Sequence, residues 1–189
     1  MRVLGVDPGS AVCGYGVVEG RPGDPLFVAA GTIRSAMLAP GPKRLHRIHD
    51  HLLAIIDEFL PDSLSLERHF VAINVQSAFR LGEARAMAML AAAERNLEFF
   101  EYPPNEVKLC VAGHGHADKA QVKYMVRRTL KLDPARELAD DAADALAVAM
   151  CHLGRGRIPN LVESVVRIRK PAARPARLAM RSRPKVHPQ

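Results

Sequence analysis

The start of the chain consists of three short apolar runs separated by turn-forming sequences. The runs are rich in β-branched residues and cover Val3–Asp7, Gly14–Glu19 and Leu26–Ile33. A Pro-Gly pair follows each of the first two runs. Apolar runs of this length that are bounded by proline and glycine are typical of β-strands. Because the connections are short, the pattern predicts an antiparallel meander.

Beyond residue 40 the apolar spacing becomes that of helices alternating with strands. Apolar residues recur at helical period from Leu45 to Phe59, and a proline soon afterwards ends the helix. Ser63–Glu67 predicts a fourth strand, which the helical crossover makes a candidate parallel neighbour of the first. Residues 76–95 predict a second helix, and its segment Ala86–Ala93 is apolar on nearly every side. Such a surface indicates burial in the core or against a partner chain.

The rest of the pattern completes one α/β domain. Leu97–Tyr102 predicts a fifth strand that two prolines end, and helices follow at Ala117–Leu130 and Ala139–Leu153. The order βββ-α-β-α-β-α-α predicts a mixed five-stranded sheet with helices on both faces. At 189 residues the chain is long enough for one such domain, and we place it over residues 1–160.

The positive charge of the chain is concentrated at its C-terminal end. The formal net charge is +7, and eight Lys and Arg residues but no acidic residue follow Glu163. Prolines interleave with these basic residues, so that residues 165–189 cannot bury enough surface to fold and are predicted to be a disordered tail. A basic tail attracts polyanions, and a solubilising role is the alternative interpretation.

The sequence also indicates the cellular compartment of the protein. No apolar run approaches the roughly 18 residues of a membrane span, and the first residues do not have the pattern of a secretory leader. Cys13, Cys110 and Cys151 are widely separated and lack metal-ligand spacing. We therefore expect reduced, structural thiols in a cytoplasmic protein. The chain has no tryptophan, which argues against a stacking platform for single strands.

Four acidic residues stand where the predicted elements would bring them together. Asp7 and Glu67 end the first and fourth predicted strands, and the ends of neighbouring strands are ~5 Å apart. Asp141 and Asp144 share one face of the last helix, and the apolar stretch after Asp144 makes an unpaired carboxylate there costly. Such an oxygen-rich cluster suits Mg²⁺ or Mn²⁺. Two such ions would support hydrolysis of a phosphodiester.

Each acid also has a structural interpretation. Asp7 precedes a Pro-Gly turn and resembles an ordinary turn acid, and Glu67 can simply begin a solvated loop. Asp141 lies in the first helical turn, where it stabilises the helix dipole. Asp144 lies a turn further into the helix, so the dipole explains it less well. The set of four therefore favours a metal site more strongly than any one acid does.

Basic residues accompany these acids. Lys119, Lys123 and Arg127 recur every four residues and form a positive stripe on one helix, and Lys108 lies upstream. A solvated helix face is the alternative interpretation. Beside a carboxylate cluster, the stripe also suits the positioning of phosphates.

Four motifs occur in the order and spacing of one known family. They are LGVDPGS at 4–10 with GYG at 14–16, LE at 66–67 with Phe70, ADKAQV at 117–122, and DAADALA at 141–147. By this ordered set, which spans roughly residues 1–160, the chain closely resembles the RuvC family of Holliday junction resolvases. The resemblance implies a ribonuclease-H-like fold, here as a nuclease domain over 1–160, and a homodimer with one metal-dependent site in each subunit. It also implies symmetric nicking of two opposed strands of a four-way DNA junction during recombination and repair, in concert with the RuvA–RuvB branch-migration complex.

The resemblance implies roles for individual residues as well. The metal-binding catalytic acids would be Asp7, Glu67, Asp141 and Asp144, with Mg²⁺ or Mn²⁺ as the cofactor, two ions to a site. Lys108 and Lys119 match basic residues near the scissile phosphate, and Phe70 matches an aromatic residue that stacks on junction bases. The stripe adds Lys123 and Arg127 as candidate DNA contacts. Relatives more often have acidic, amide or apolar residues where this chain has Arg68 and His69, which leaves metal preference and local DNA contacts open.

Two other functions fit parts of the sequence. Actin-like phosphotransferases also open with a strand that ends in Asp and a glycine turn. They need a second such domain and a glycine-rich adenosine-binding segment, and this chain has neither. A protein that binds junctions without cutting them would use the basic stripe and the tail, but its four acids would repel phosphate unless metals intervened.

Overall fold

The structure, a computed structural model, describes residues 1–9, 11–34, 41–68 and 75–154. These residues form, in chain order, the strands and helices β1 (Arg2–Asp7), β2 (Val12–Arg21), β3 (Asp24–Arg34), α1 (Pro42–Phe59), β4 (Ser63–Glu67), α2 (Val75–Glu94), β5 (Glu98–Tyr102), α3 (Pro104–Ala112), α4 (Lys119–Thr129) and α5 (Asp140–Gly154). Of these described helices, none combines the length and apolar character needed to cross a bilayer.

The strands form one mixed sheet in the order β3-β2-β1-β4-β5. β1, β2 and β3 pair antiparallel, which confirms the predicted meander. β4 is parallel to β1, as predicted, and also to β5. Val6 lies opposite Leu66 in the parallel register. Asp7 and Glu67, which follow these two residues, therefore end adjacent strands at the same edge of the sheet.

Alternation along the strands sends side chains into two separate cores. Leu4 and Val6 of β1 pack with α1 and α2, whereas Val3 packs with α3, α4 and α5. Because successive side chains point to opposite faces, Asp7 lies on the same face as Val3. Leu66 packs with α1 and α2, so Glu67 also lies on the α5 face. The sheet thus has helices on both faces, as predicted.

Three glycines let α5 lie close against the sheet. A methyl group on Gly5 would lie 2.0 Å from the carbonyl oxygen of Ala145, and one on Gly14 would lie 2.0 Å from the carbonyl oxygen of Asp141. On Gly16 it would lie 2.7 Å from Cγ of Leu146. Gly5 and Gly16 are register partners on β1 and β2. At these three positions β1 and β2 therefore present backbone without side chains to α5.

One helix differs from the prediction. Pro103 and Pro104 predict the end of the fifth strand, but Pro104 is also the first residue of α3, whose C-cap is Gly113 with φ 84°. Proline fits the first helical position because that residue's N–H has no intrahelical partner. The predicted element order was therefore wrong by one helix. The predicted tail, 165–189, and the limit of the domain at residue 160 lie outside the described residues.

We predict that Gly5→Ala destabilises the protein by about 3 kcal/mol, because the added methyl group forces the α5 backbone away from the sheet. The matched control is Gly82→Ala in α2, where a methyl group would meet nothing within 4 Å. There the helical preference of alanine should add about 0.5–1 kcal/mol of stability. Urea denaturation of both variants measures the difference. Equal stabilities would contradict the close seating of α5.

Candidate functional site

Three of the four predicted acids line one cleft. Its volume is about 220 Å³, and it opens at the carboxyl ends of β1 and β4. The residues that line it are Asp7, Glu67 and Asp144, the bases Lys108 and Lys119, and Pro104, Val107, Val122 and Ala147. The cleft thus combines acids from two strands and one helix with bases from two helices, and apolar side chains form the rest of its lining.

Asp7 is at the electrostatic centre of this cleft. Burial, and then the negative charges of Asp144, Glu67 and Asp141, raise the pKa of Asp7 to about 7, against an ordinary value of 3.8. The positive charge of Lys119 acts in the opposite direction. Three of the predicted acids therefore act on the fourth, and together with burial they favour the protonated form of the Asp7 carboxyl.

Asp141 acts on Asp7 through its negative charge but is not among the residues that line the cleft. Its main chain lies against Gly14, which is the register partner of Asp7 in the β1–β2 pair. The close contact at Gly14 thus brings the first turn of α5 to the end of β1. Asp144, one turn further along, then points into the cleft with 19% of its side chain exposed.

Lys119 partly neutralises the acids. Its Nζ donates a hydrogen bond to Oδ2 of Asp144 at 3.2 Å, and the negative charge of Asp144 raises the pKa of Lys119. Asp118 caps α4 through a reciprocal pair of hydrogen bonds with Gln121, which fixes Lys119 as the first residue of the helix. The Lys119 side chain is 82% exposed, so it reaches the acid from solvent.

The other predicted DNA-contacting residues differ in their surroundings. Lys123 donates to Oδ1 of Asp140 at 2.7 Å and lines a groove of about 270 Å³ that adjoins the cleft at Lys119 and Asp144. Arg127 lies further along α4 and donates to carbonyl oxygens of the 133–136 loop, which precedes α5. Phe70, like His69, lies outside the described residues.

The acids do not form a closed ligand shell. Within the part of the chain that the structure describes, no group of three or more His, Cys, Asp or Glu side chains is arranged as a ready metal site. Mutual repulsion of the carboxylates and the Lys119–Asp144 hydrogen bond are both consistent with this open arrangement.

Sequence reasoning missed a link between the site and α5. The N–H of Arg68 donates to the carbonyl oxygen of Tyr102 at 2.8 Å, and Tyr102 is the register partner of Glu67. The Tyr102 hydroxyl is hydrogen-bonded to Nδ1 of the buried His152 at 2.7 Å. These contacts join the ends of β4 and β5 to α5. Tyr102 and His152 are 50 residues apart in the sequence, so no local pattern predicts their hydrogen bond.

Comparison with known proteins identifies the family. Residues 3–152 match the family model described as crossover junction endodeoxyribonuclease RuvC. A RuvC of this name from Thermotoga petrophila is 43% identical over 157 residues, which cover 83% of this chain and 94% of the relative. Another, from Magnetococcus marinus, is 45% identical over 155 residues, which cover 82% and 85%.

A solved structure agrees with these matches. T. thermophilus RuvC in complex with Holliday junction substrate aligns with a TM-score of 0.77 at 33% identity, over 83% of this chain and 95% of that one. The expected ribonuclease-H-like α/β fold is therefore confirmed, and both the actin-like phosphotransferase and the non-cutting DNA-binding protein are set aside. The chain belongs to the RuvC family of crossover junction endodeoxyribonucleases and is a nuclease.

Proposed function

We propose that this nuclease resolves Holliday junctions by metal-dependent hydrolysis of one phosphodiester in each of two opposed DNA strands. The observation that carries the assignment to the cleft is the convergence of three acidic charges on a fourth acid, the buried Asp7, beside Lys108 and Lys119. The substrate is supported by the complex of T. thermophilus RuvC with a Holliday junction.

The acids have the chemistry of a divalent-cation site. Their donors are carboxylate oxygens, which suit Mg²⁺ or Mn²⁺. Among the groups that set the pKa of Asp7, three like charges oppose the single cation Lys119, so added positive charge is favourable. We propose two ions, held by Asp7, Glu67, Asp141 and Asp144. Bound ions of this kind activate water and stabilise the leaving oxygen of a phosphodiester.

The basic residues would bind and orient the DNA backbone. Lys119 is anchored on α4 with an exposed side chain, so it can transfer its hydrogen bond from Asp144 to a phosphate oxygen without backbone movement. Lys108 lines the cleft from α3, and Lys123 extends the basic surface into the adjoining groove. Phe70 is proposed to stack on junction bases.

Arg127 remains a predicted DNA contact, and it also has a structural role. Its guanidinium donates to the carbonyl oxygens of Asp133, Pro134 and Arg136. These bonds hold the loop that leads into α5. Replacing Arg127 would therefore disturb the helix that carries Asp141 as well as any phosphate contact.

Cutting two opposed strands symmetrically requires two sites related by a twofold axis, so we propose a homodimer. α2 exposes Val75, Phe79 and Leu90 with 69%, 70% and 45% of their surfaces accessible, and a partner chain would cover such apolar residues. The RuvA–RuvB complex is the proposed assembly partner, and the cytoplasm is the proposed location.

We predict that Asp7→Asn lowers the rate of junction nicking by at least about 100-fold, while junction binding is retained, because the substitution removes a metal ligand without removing a DNA contact. The control is Asp57→Asn on α1, across the sheet, where Asp57 pairs with Arg95 on the surface. A nicking assay on a four-way junction beside linear duplex, with Mg²⁺, Mn²⁺ or EDTA, measures both. Normal cutting by the Asp7 variant would refute the site.

The raised pKa of Asp7 predicts a pH-dependent effect on stability. Because the pKa in the folded state lies near 7, above its value of 3.8 in the unfolded chain, the contribution of Asp7 to the stability of the wild type falls as the pH rises from about 4 to 7. Asp7→Asn cannot ionise. In EDTA, we expect the variant to match the wild type near pH 4 and to exceed it by up to about 4 kcal/mol above pH 7.

Denaturation at several pH values checks this expectation, and saturating Mg²⁺ should shrink the difference by stabilising the wild type. A stability difference that does not change with pH would mean that Asp7 is not held at a raised pKa.

Removal of the residues after 165 should weaken junction binding and its dependence on salt, since eight positive charges without neighbouring acids are lost. The position of the cut should not change. Binding titrations of both forms at several salt concentrations provide the slope. Identical slopes would show that the tail does not contact DNA.

A further inference from the structure

Cys110 and Cys151 face each other between α3 and α5. Their Sγ atoms are 3.0 Å apart, although the residues are 41 positions apart in the sequence. Both are free thiols. A disulfide bond is about 2.0 Å long, so the two sulfurs need to approach by only about 1 Å to form one. Small side-chain movements can supply that distance.

The two thiols differ in access. Cys110 is partly exposed and lines a cavity of about 200 Å³, together with Gly23, Pro25, Thr129 and Met150 among others. No residue that lines this cavity also lines the acidic cleft. Cys151 is fully buried. A small molecule in solvent can therefore reach Cys110, whereas Cys151 is inaccessible to it.

The hydrogen bond between the thiols polarises the pair. The Cys151 thiol donates to Sγ of Cys110, which lowers the pKa of Cys110 and raises that of Cys151. Burial and the negative charge of Glu106 oppose ionisation of Cys110, and Glu106 itself faces the positive charge of Arg68. Because the thiolate is the reactive form, Cys110 has the properties of the attacking thiol and Cys151 those of the resolving thiol.

We propose that Cys110 and Cys151 form a reversible oxidation site, at which a peroxide converts the two thiols into an intrachain disulfide. The Cys110 thiolate attacks one peroxide oxygen, the O–O bond breaks, and Cys110 becomes a sulfenic acid while hydroxide leaves and is protonated to water. The Cys151 sulfur then attacks Sγ of Cys110 and displaces hydroxide from the sulfenic acid. The hydroxide accepts the proton that the Cys151 thiol loses and leaves as water. Two thiols and one hydrogen peroxide thus yield one disulfide and two waters. A dithiol reductant reverses the change.

The bond would tie together two helices that carry the acidic cleft. Cys110 lies two residues after Lys108 on α3, and Cys151 lies on the same helix as Asp141 and Asp144. A cross-link that closes a loop of this length restricts the unfolded chain and stabilises the folded one. We expect the melting temperature to rise by roughly 5–10 °C on oxidation.

The test uses the full-length protein, reduced and then treated with one equivalent of hydrogen peroxide. Peptide mapping without reductant should find the Cys110 and Cys151 peptides joined within one chain. Thermal denaturation should show the rise in melting temperature. Dithiothreitol should reverse both. The Cys110→Ser variant should show neither change. Cys13→Ala, which alters a thiol in the other core, should show both.

Cys110 is partly exposed, so its serine variant is expected to fold even if a Cys151 variant does not. Two results would overturn the proposal: oxidation of Cys110 to sulfinic acid without a link, or a link between two chains in place of one within a chain.

Discussion

The close contact between α5 and the glycines of β1 and β2 is the constraint on which the acidic cleft depends. Gly5, Gly14 and Gly16 present backbone where other residues would present side chains, and the helix backbone occupies that space. This contact brings Asp141 and Asp144 to the end of β1, where Asp7 lies. A helix held further out by larger side chains would leave Asp7 more solvated and the acids further apart. Packing in the core thus sets the electrostatics of the site.

That electrostatic arrangement is unfavourable for the folded protein on its own. Burial and three like charges raise the pKa of Asp7, and one lysine only partly offsets them. The protein retains this cost at the position where we propose that carboxylates bind divalent cations. Natural sequences commonly give up stability at such sites. Stability elsewhere comes from the apolar residues of the two cores on either side of the sheet.

Much of this arrangement could be predicted because it follows local patterns. Their positions at the ends of two strands joined by a helical crossover placed Asp7 and Glu67 together, and helical spacing paired Asp141 with Asp144. α3 was missed because two prolines end a strand and begin a helix with the same residues. The contacts of Tyr102 with His152, and of Cys110 with Cys151, join residues that are distant in the sequence. The spacing of apolar residues along the sequence does not predict contacts between distant residues, so only the folded structure reveals them.

The glycine contacts also carry a consequence for how the family can diverge. Gly5 faces Ala145 and Ala149, Gly14 faces Asp141, and Gly16 faces Leu146. A larger residue on the strand side can be accommodated only if the helix side becomes smaller or the helix moves. Since movement would displace the acids, substitutions at these facing positions are expected to covary among relatives. A relative that breaks one pair without a compensating change would be a candidate for a lineage that keeps the fold and has lost the nuclease.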